Sequence, residues 1–384
     1  MSRILIHSNA PWVPTGYGQQ TRMLAAGLRD MGHEVAVSAF AGLVGADITW
    51  DGMLVMPHGQ LGFGVDVLIP HIQRWEPDVT ITLMDFWQLH PIASALQHHK
   101  IAAWLPIDCS PMSRRDLSVL MASKAVPVAM SRHGLRMLEA ELEKYGPQFP
   151  DPGYIPHMVD VDIFRPMPDR DEWRAELELE DRFIVGLCAA NKDVIRKGFP
   201  EQFHAFQRFH AKHPDSVLLV HSTPRGAAGL DLMQLADDMG ISDCVRFSDQ
   251  YTQDAGLFDT EMMVRWFNAL DVLINCSYGE GFGIPLIEAR ACGTPVIATS
   301  ASAMKELAHP DLRVGGTKFW NHVHQAWWTR PDVDQLVRRL THVYDLSREQ
   351  RLAMRYKARE FVLHYNTAAV CGEWSKLVGE LCSD

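Results

Sequence analysis

The sequence predicts an α/β protein built from two parallel-sheet domains, and three observations carry that prediction. Short β-branched runs alternate with helical segments along the chain, the pattern of consecutive strand–helix–strand units. The alternation falls into two series, separated by a proline-punctuated, charged stretch, Arg165-Pro-Met-Pro-Asp-Arg-Asp, whose composition suits irregular chain. The length, 384 residues, is two to three times that of a common single domain.

In the first series the strand-like runs are Ile4–His7, Glu34–Ala39, Val79–Leu83, Ile101–Leu105 and Val126–Met130. Between the first two, the helical segment Gln19–Met31 puts Met23, Leu24, Gly27, Leu28 and Met31 on one face. Gly32 then stands where a left-handed residue would stop the helix. The second series runs Phe183–Cys188, Ser216–His221, Cys244–Phe247, Asp271–Ser277 and Thr294–Thr299. From Ser347 to Leu381 the chain reads as helix, broken near His364–Thr367. The expected organisation is therefore two Rossmann-like domains facing a cleft, 1–165 and 166–365. A terminal helix at about 366–384 is expected to pack back onto the first domain.

Composition narrows the class further. Apolar residues at 47% and charged residues at 22% are ordinary for a soluble globular chain. A formal charge of −11 argues against a broad polyanion-binding face, so general nucleic-acid binding is not expected. No run approaches the roughly 18 apolar residues of a membrane span. The start, Met1 to His7, turns polar too quickly for a signal peptide. Seven dispersed cysteines without CxxC spacing suit reduced thiols in a cytoplasmic protein.

The most informative stretch is Asp271 to Thr299. A buried strand enters a loop carrying Gly279, Gly281 and Gly283, and Pro285 sits where a first helical turn begins. Gly293 ends that helix before a second strand. Strand, glycine loop and helix N-terminus together form an anion site, because unpaired N–H groups and the helix dipole point at one place. Glu280 in the loop and Glu288 one turn into the helix frame it. Either Glu alone suits a solvated loop or a dipole-favoured first turn. Their spacing of seven intervening residues inside this frame is far more specific.

Tyr278-Gly-Glu-Gly-Phe-Gly-Ile-Pro-Leu-Ile-Glu-Ala, followed by Ala291-Cys-Gly-Thr-Pro-Val-Ile-Ala, resembles the E-x7-E element of retaining glycosyltransferases of the GT-B fold, glycosyltransferase family 4. The resemblance implies that Glu288 holds the ribose hydroxyls of a nucleotide-sugar and that Glu280 lies by the donor sugar. Backbone amides of Gly281, Phe282, Gly283 and Ile284 would meet sugar and phosphate. The segment Ile155-Pro-His-Met-Val-Asp is similar to the family's exit from its first domain, with His157 and Met158 in place of a usual Asn-Gly pair. Asp160 and Asp162 read there as turn formers.

Asn191 to Gly198, after the first strand of the second series, is similar to the family's diphosphate-gripping element. Lys197 and Arg196 match its cations, and Asn191 and Lys192 stand where an earlier arginine is frequent. Two cations suit a departing nucleoside diphosphate, whose charge grows as the sugar–oxygen bond breaks. In the first domain the resemblance assigns Gly16 and Gly18 to a glycine loop over donor phosphate and acceptor, with Gln19 and Arg22 weaker candidates. A histidine frequent in the family near the reacting sugar is replaced here by the neighbourhood of Asp108, with Asp85 a second carboxylate on the same sheet edge. Both also read as caps.

The aromatic run Phe319 to Trp328 reads as a loop packed on a core rather than a stacking platform. The 18 histidines show no metal-ligand spacing, so no metal and no cofactor are expected beyond a UDP- or GDP-sugar co-substrate. The expected activity is sugar transfer to an unidentified acceptor hydroxyl. A nucleotide-sugar epimerase of the same fold and a non-catalytic sugar-nucleotide-binding module are the alternatives.

Overall fold

The structure is a computed structural model that describes every residue except Ala227 and Asp384, and the Asp254 backbone without its side chain. Contacts divide the chain into two units. The first comprises Met1–Met158, Asn321–Ala326 and the chain from Tyr365 on; the second comprises Val159–Trp320 and Trp327–His364.

The first unit holds an eight-stranded sheet of β1 (Arg3–Asn9), β2 (Glu34–Ala41), β3 (Ile48–Trp50), β4 (Met53–Met56), β5 (Val79–Leu83), β6 (Ile101–Leu105), β7 (Val126–Ala129) and β8 (Gly153–Tyr154). Their order is β3-β4-β2-β1-β5-β6-β7-β8, and β3 alone is antiparallel to its neighbour. β5 and β6 have no exposed residue, as strands covered on both faces require. Chain direction across the sheet reverses between β1 and β5, which makes their carboxyl ends the place where a ligand crevice opens.

The helix α1 (Gly16–Asp30) begins three residues before the expected Gln19, because Thr15 caps it. The Thr15 hydroxyl accepts the Gly18 N–H at 3.1 Å and is itself held by the Asn9 amide at 2.7 Å. Leu24 and Leu28 are buried as expected, whereas Met31 lies beyond the helix and is exposed. Gly32 takes a φ of +91° and ends the helix. The terminal helix Thr367–Ser383 packs on α1, where a Cβ on Gly27 would meet the Cys371 sulfur. Trp374 is fully buried there, edge-on to Trp104 at 5.2 Å.

The second unit holds a parallel six-stranded sheet of β9 (Phe183–Cys188), β10 (Ser216–His221), β11 (Val245–Phe247), β12 (Val272–Asn275), β13 (Val296–Thr299) and β14 (Arg313–Val314), ordered β11-β10-β9-β12-β13-β14. Its core joins Val185 and Leu187 of β9 to Phe203, Phe206 and Phe209 of α2 (Phe199–His210). The order reverses between β9 and β12. The loops leaving those two strands are Ala189–Gly198 and Cys276–Gly283, and the second leads into α3 (Ile284–Ala291).

Three sequence expectations need correction. The contact divide lies at Met158/Val159, not at 165: the Gln20 amide holds the Met158 backbone from one unit, while the Arg359 guanidinium holds the carbonyls of Val161 and Phe164 in the other. The segment after Arg165 is not wholly irregular, since Arg170–Glu176 is helical and anchored by Arg170 and Arg174 on Asp271, at 2.9 Å each. The aromatic run near Phe319 is no simple loop. It forms β15 (Gly316–Asn321) and β16 (Ala326–Pro331), a two-stranded hairpin.

Candidate active site

The switch point of the second unit gathers the chemistry. Asp193 Oδ1 accepts the N–H groups of Ile195 and Arg196 at 2.7 and 2.6 Å, folding the β9 loop into a tight turn. Gly198 follows with a φ of +58°, and an added Cβ would sit 2.7 Å from the Cys276 carbonyl oxygen. That turn delivers Arg196 and Lys197 to the neighbouring β12 loop, where Glu280 receives both. Lys197 Nζ lies 2.5 Å from Glu280 Oε1 and Arg196 Nη1 lies 3.0 Å from Oε2. The Ser277 hydroxyl stands 2.6 Å from the same Oε1. Thr299 of β13 holds the Ser277 carbonyl at 2.7 Å, and the Glu280 N–H donates to Ser302 Oγ at 3.0 Å.

Electrostatics follow from burial. Desolvation pushes the Glu280 carboxyl up, but Lys197 and Arg196 outweigh it and hold the group down at about 2. Burial and the adjacent Arg196 lower Lys197, and Glu280 opposes that shift. The Lys197 side chain is only 12% exposed. Glu288 has no such cationic help, and burial pushes it up to about 8. Glu288 and Lys197 bear in opposite senses on the Cys188 thiol at the end of β9, the glutamate raising it and the lysine lowering it.

Gly283 caps α3 with a φ of +108°, a conformation that glycine supplies at least cost. α3 starts at Ile284, Pro285 brings no N–H to its first turn, and the Leu286 N–H turns back onto the Gly283 carbonyl at 2.9 Å. Phe282 is buried within this turn. Glu280, Lys197, Arg196, Glu288, Gly281, Phe282, Gly283 and Ile284 thus belong to one switch-point region.

Asn191 does not join them. Its side chain spans Thr223 O, Leu230 O and the Leu230 N–H at 2.7–3.0 Å, so it staples the chain that follows β10. Gly16 and Gly18 lie inside the first turn of α1, not in a loop. Gly18 is small because a Cβ there would strike the Val13 carbonyl. Asp108 lies in the first unit, where it and Asp85 both raise Asp116; burial, then Asp85, pushes Asp116 up to about 7. Among the described residues no three His, Cys, Asp or Glu side chains gather as a set of metal ligands.

Sequence reasoning passed over Ser277, Ser302, Asp193 and Gln202. Gln202 bridges the two loops, accepting the Cys276 N–H at 2.9 Å and donating to Lys197 O at 2.8 Å. Its signal was the tight spacing from Gly198 into the α2 helix. Gly198→Ala tests how far the turn depends on its backbone. The left-handed conformation alone should cost about 1–2 kcal/mol, read as a lowered melting temperature. A variant as stable as the parent would show that the turn tolerates a side chain.

A doubly wound parallel sheet whose switch-point loops carry paired cations, a buried glutamate and a helix N-terminus offers an arrangement suited to an anionic group. Residues 184–344 match the family described as glycosyl transferases group 1. A D-inositol 3-phosphate glycosyltransferase of Mycobacterium sp. (strain KMS) is 36% identical over 149 residues, 38% of this chain and 31% of the relative. The same-named protein of Corynebacterium jeikeium (strain K411) is 33% identical over 158 residues, 39% of this chain and 36% of the relative. The match thus spans about a third of the length of those curated relatives. Among solved structures, sucrose-phosphate synthase from Thermosynechococcus elongatus superposes with a TM-score of 0.76 at 20% identity, over 99% of each chain. Anabaena HepE in complex with UDP and glucose gives 0.72 at 17% identity, over 99% of this chain and 100% of that one. The fold is therefore that of the GT-B glycosyltransferases, with two sheet domains. No helix among the described residues is long and apolar enough to cross a membrane.

Proposed function

We propose that this chain transfers a sugar from a nucleoside diphosphate donor to an acceptor hydroxyl, with retention at the anomeric carbon, in the manner of glycosyltransferase family 4. The observation that carries the reading is the Lys197–Glu280–Arg196 cluster at the β9/β12 switch point, beside the α3 N-terminus. Two cations against one carboxylate leave a net positive charge for a diphosphate to complete. As the sugar–oxygen bond breaks, negative charge grows on the departing phosphate, and preorganised cations stabilise it more than the ground state. That phosphate oxygen takes the acceptor proton on the same face. Glu288 accepts the ribose hydroxyls, and the α3 amides face sugar and phosphate. A neighbouring structure that holds UDP and glucose supports a UDP-sugar, with GDP-sugars as the second donor class. The free cysteines suit a reducing compartment, so the proposed location is the cytoplasm.

The test is a thermal-shift screen against a panel of nucleotide-sugars, then mass spectrometry of acceptor mixtures that include inositol phosphates. No stabilisation and no donor hydrolysis across the panel would sink the proposal. EDTA should leave turnover within about twofold of the untreated enzyme, because cations rather than a metal meet the diphosphate. Loss of activity that Mg²⁺ or Mn²⁺ restores would overturn that scheme.

A further inference from the structure

Tyr278 is the point at which three separate pieces of the second unit meet. Its N–H donates to Arg196 O at 2.7 Å, so the main chain two residues before Glu280 holds the main chain of the arginine that pairs with Glu280. Its hydroxyl donates to Glu201 Oε1 at 2.8 Å, in the first turn of α2, four residues after Lys197. The β15–β16 hairpin closes the other side. Phe319 lies edge-on to the Tyr278 ring at 5.3 Å, and the Thr329 N–H donates to Tyr278 O at 2.9 Å. Arg330 Nε reaches the same Glu201 Oε1 at 2.8 Å.

We infer that Arg330, Glu201 and Tyr278 form a positioning relay through which the hairpin fixes the spacing of Arg196 and Lys197 around Glu280. The inference rests on the glycosyl-transfer reading for its catalytic consequence. Glu201 is 6% exposed, and its carboxylate joins a phenol on the clamp side to a guanidinium on the hairpin side. The next residue, Gln202, already stitches Lys197 O to the Cys276 N–H, so consecutive α2 side chains tie both loops together. Arg330 is 59% exposed, and an ion pair with so open a partner adds little to stability. Its consequence is geometric. Losing it frees the Glu201 carboxylate to rotate, and the Tyr278 hydroxyl moves with its acceptor. Displacements well below 1 Å at the cations then matter, because groups that stabilise developing charge act through fixed position.

The relay is tested with Arg330→Ala, Tyr278→Phe, Glu201→Gln and Arg330→Lys in the full chain, each with its melting temperature. Two readouts are taken: turnover of the nucleotide-sugar found in the donor screen, and calorimetric affinity for inorganic pyrophosphate. Pyrophosphate carries charge like that of the departing diphosphate, so its binding reports cation placement without requiring chemistry. Arg330→Ala and Tyr278→Phe should lower kcat at least tenfold while donor KM moves less than threefold, and should weaken pyrophosphate about tenfold. Arg330→Lys keeps the charge on Glu201 and should recover most of both losses. The double variant Arg330→Ala/Glu201→Gln should be no worse than its weaker parent, since one relay has one break. Values within twofold of the parent protein in both readouts overturn the relay, as do losses that track melting temperature alone. A parent protein that never turns over any donor but binds pyrophosphate, with the variants weakened, refutes glycosyl transfer and leaves the relay standing. Failure of the parent protein to bind pyrophosphate removes the cation clamp and the relay with it.

Discussion

Lys197→Ala is expected to lower kcat by roughly 10²–10³-fold, the usual cost of losing one preorganised charge-stabilising group, and to destabilise the fold as well. The second half follows from burial. Lys197 and Glu280 are 12% and 9% exposed and 2.5 Å apart, so removing the ammonium strands a buried carboxylate. Breaking such a pair from one side costs roughly 3 kcal/mol or more, with Arg196 and Ser277 left as partial compensation. Arg196 is 30% exposed, so Arg196→Ala should cost much less stability for a comparable loss of rate. The double variant Lys197→Ala/Glu280→Gln separates the two effects. It removes the stranded charge and should regain much of the melting temperature without regaining turnover. Turnover within tenfold of the parent protein in Lys197→Ala would detach this lysine from the diphosphate. Acid behaviour gives a second check. Glu280 sits near 2 in the folded state, below its unfolded value, so its contribution is complete above about pH 4.5 and fades as pH falls toward 2. Glu280→Gln should therefore flatten acid unfolding over that window.

The sequence made the framework legible wherever one local pattern had one physical meaning. Strands buried on both faces read as continuous apolar runs, and β9 and β10 span the residues that pattern predicts. The glycines and Pro285 between β12 and α3 announced a turn and a helix start, and Gly283 does adopt a left-handed φ. What stayed hidden depended on partners distant in the chain. Asn191 looked like a ligand-facing polar residue because nothing local shows that its amide is consumed by Thr223 and Leu230. The burial of Lys197 was equally hidden, because the carboxylate it pairs with lies 83 residues away. Gly16 and Gly18 suggested a loop, yet Thr15 is a good cap and overrides two glycines to start α1 at once. The hairpin β15–β16 escaped because its tryptophans read as aromatic packing, and only the paired strand shows the alternation. Trp328 is buried while Trp327 and Trp320 face outward. The relay residues Glu201 and Arg330 are 129 positions apart, and no spacing rule joins them.

Glu288→Gln is expected to weaken nucleotide-sugar binding and, at alkaline pH, to stabilise the protein. Burial alone pushes this carboxyl up to about 8, against an ordinary value of 4.5. Between those limits the folded state keeps a proton that the unfolded state has released. Stability contributed by the neutral acid is therefore fully present below about pH 4.5, declines through the window, and is gone above about pH 8. Glutamine carries no such proton, so the variant should gain on the parent protein as pH rises, by an amount on the order of a few kcal/mol at pH 8.5. Asp116, held near 7 by burial and Asp85, imposes a slope of the same sign, but it is common to both proteins and cancels in their difference. Donor binding runs the opposite way. A ribose diol donates two hydrogen bonds, which an ionised carboxylate accepts better than an amide or a protonated acid. Near neutral pH the donor must expel the Glu288 proton, so parent affinity should rise by up to about tenfold per pH unit between 6 and 8. Glu288→Gln should bind weakly and without that slope. Calorimetry in two buffers of different ionisation enthalpy measures the released proton directly. Equal proton release by the parent protein and the variant would show that Glu288 supports the helix rather than the ribose.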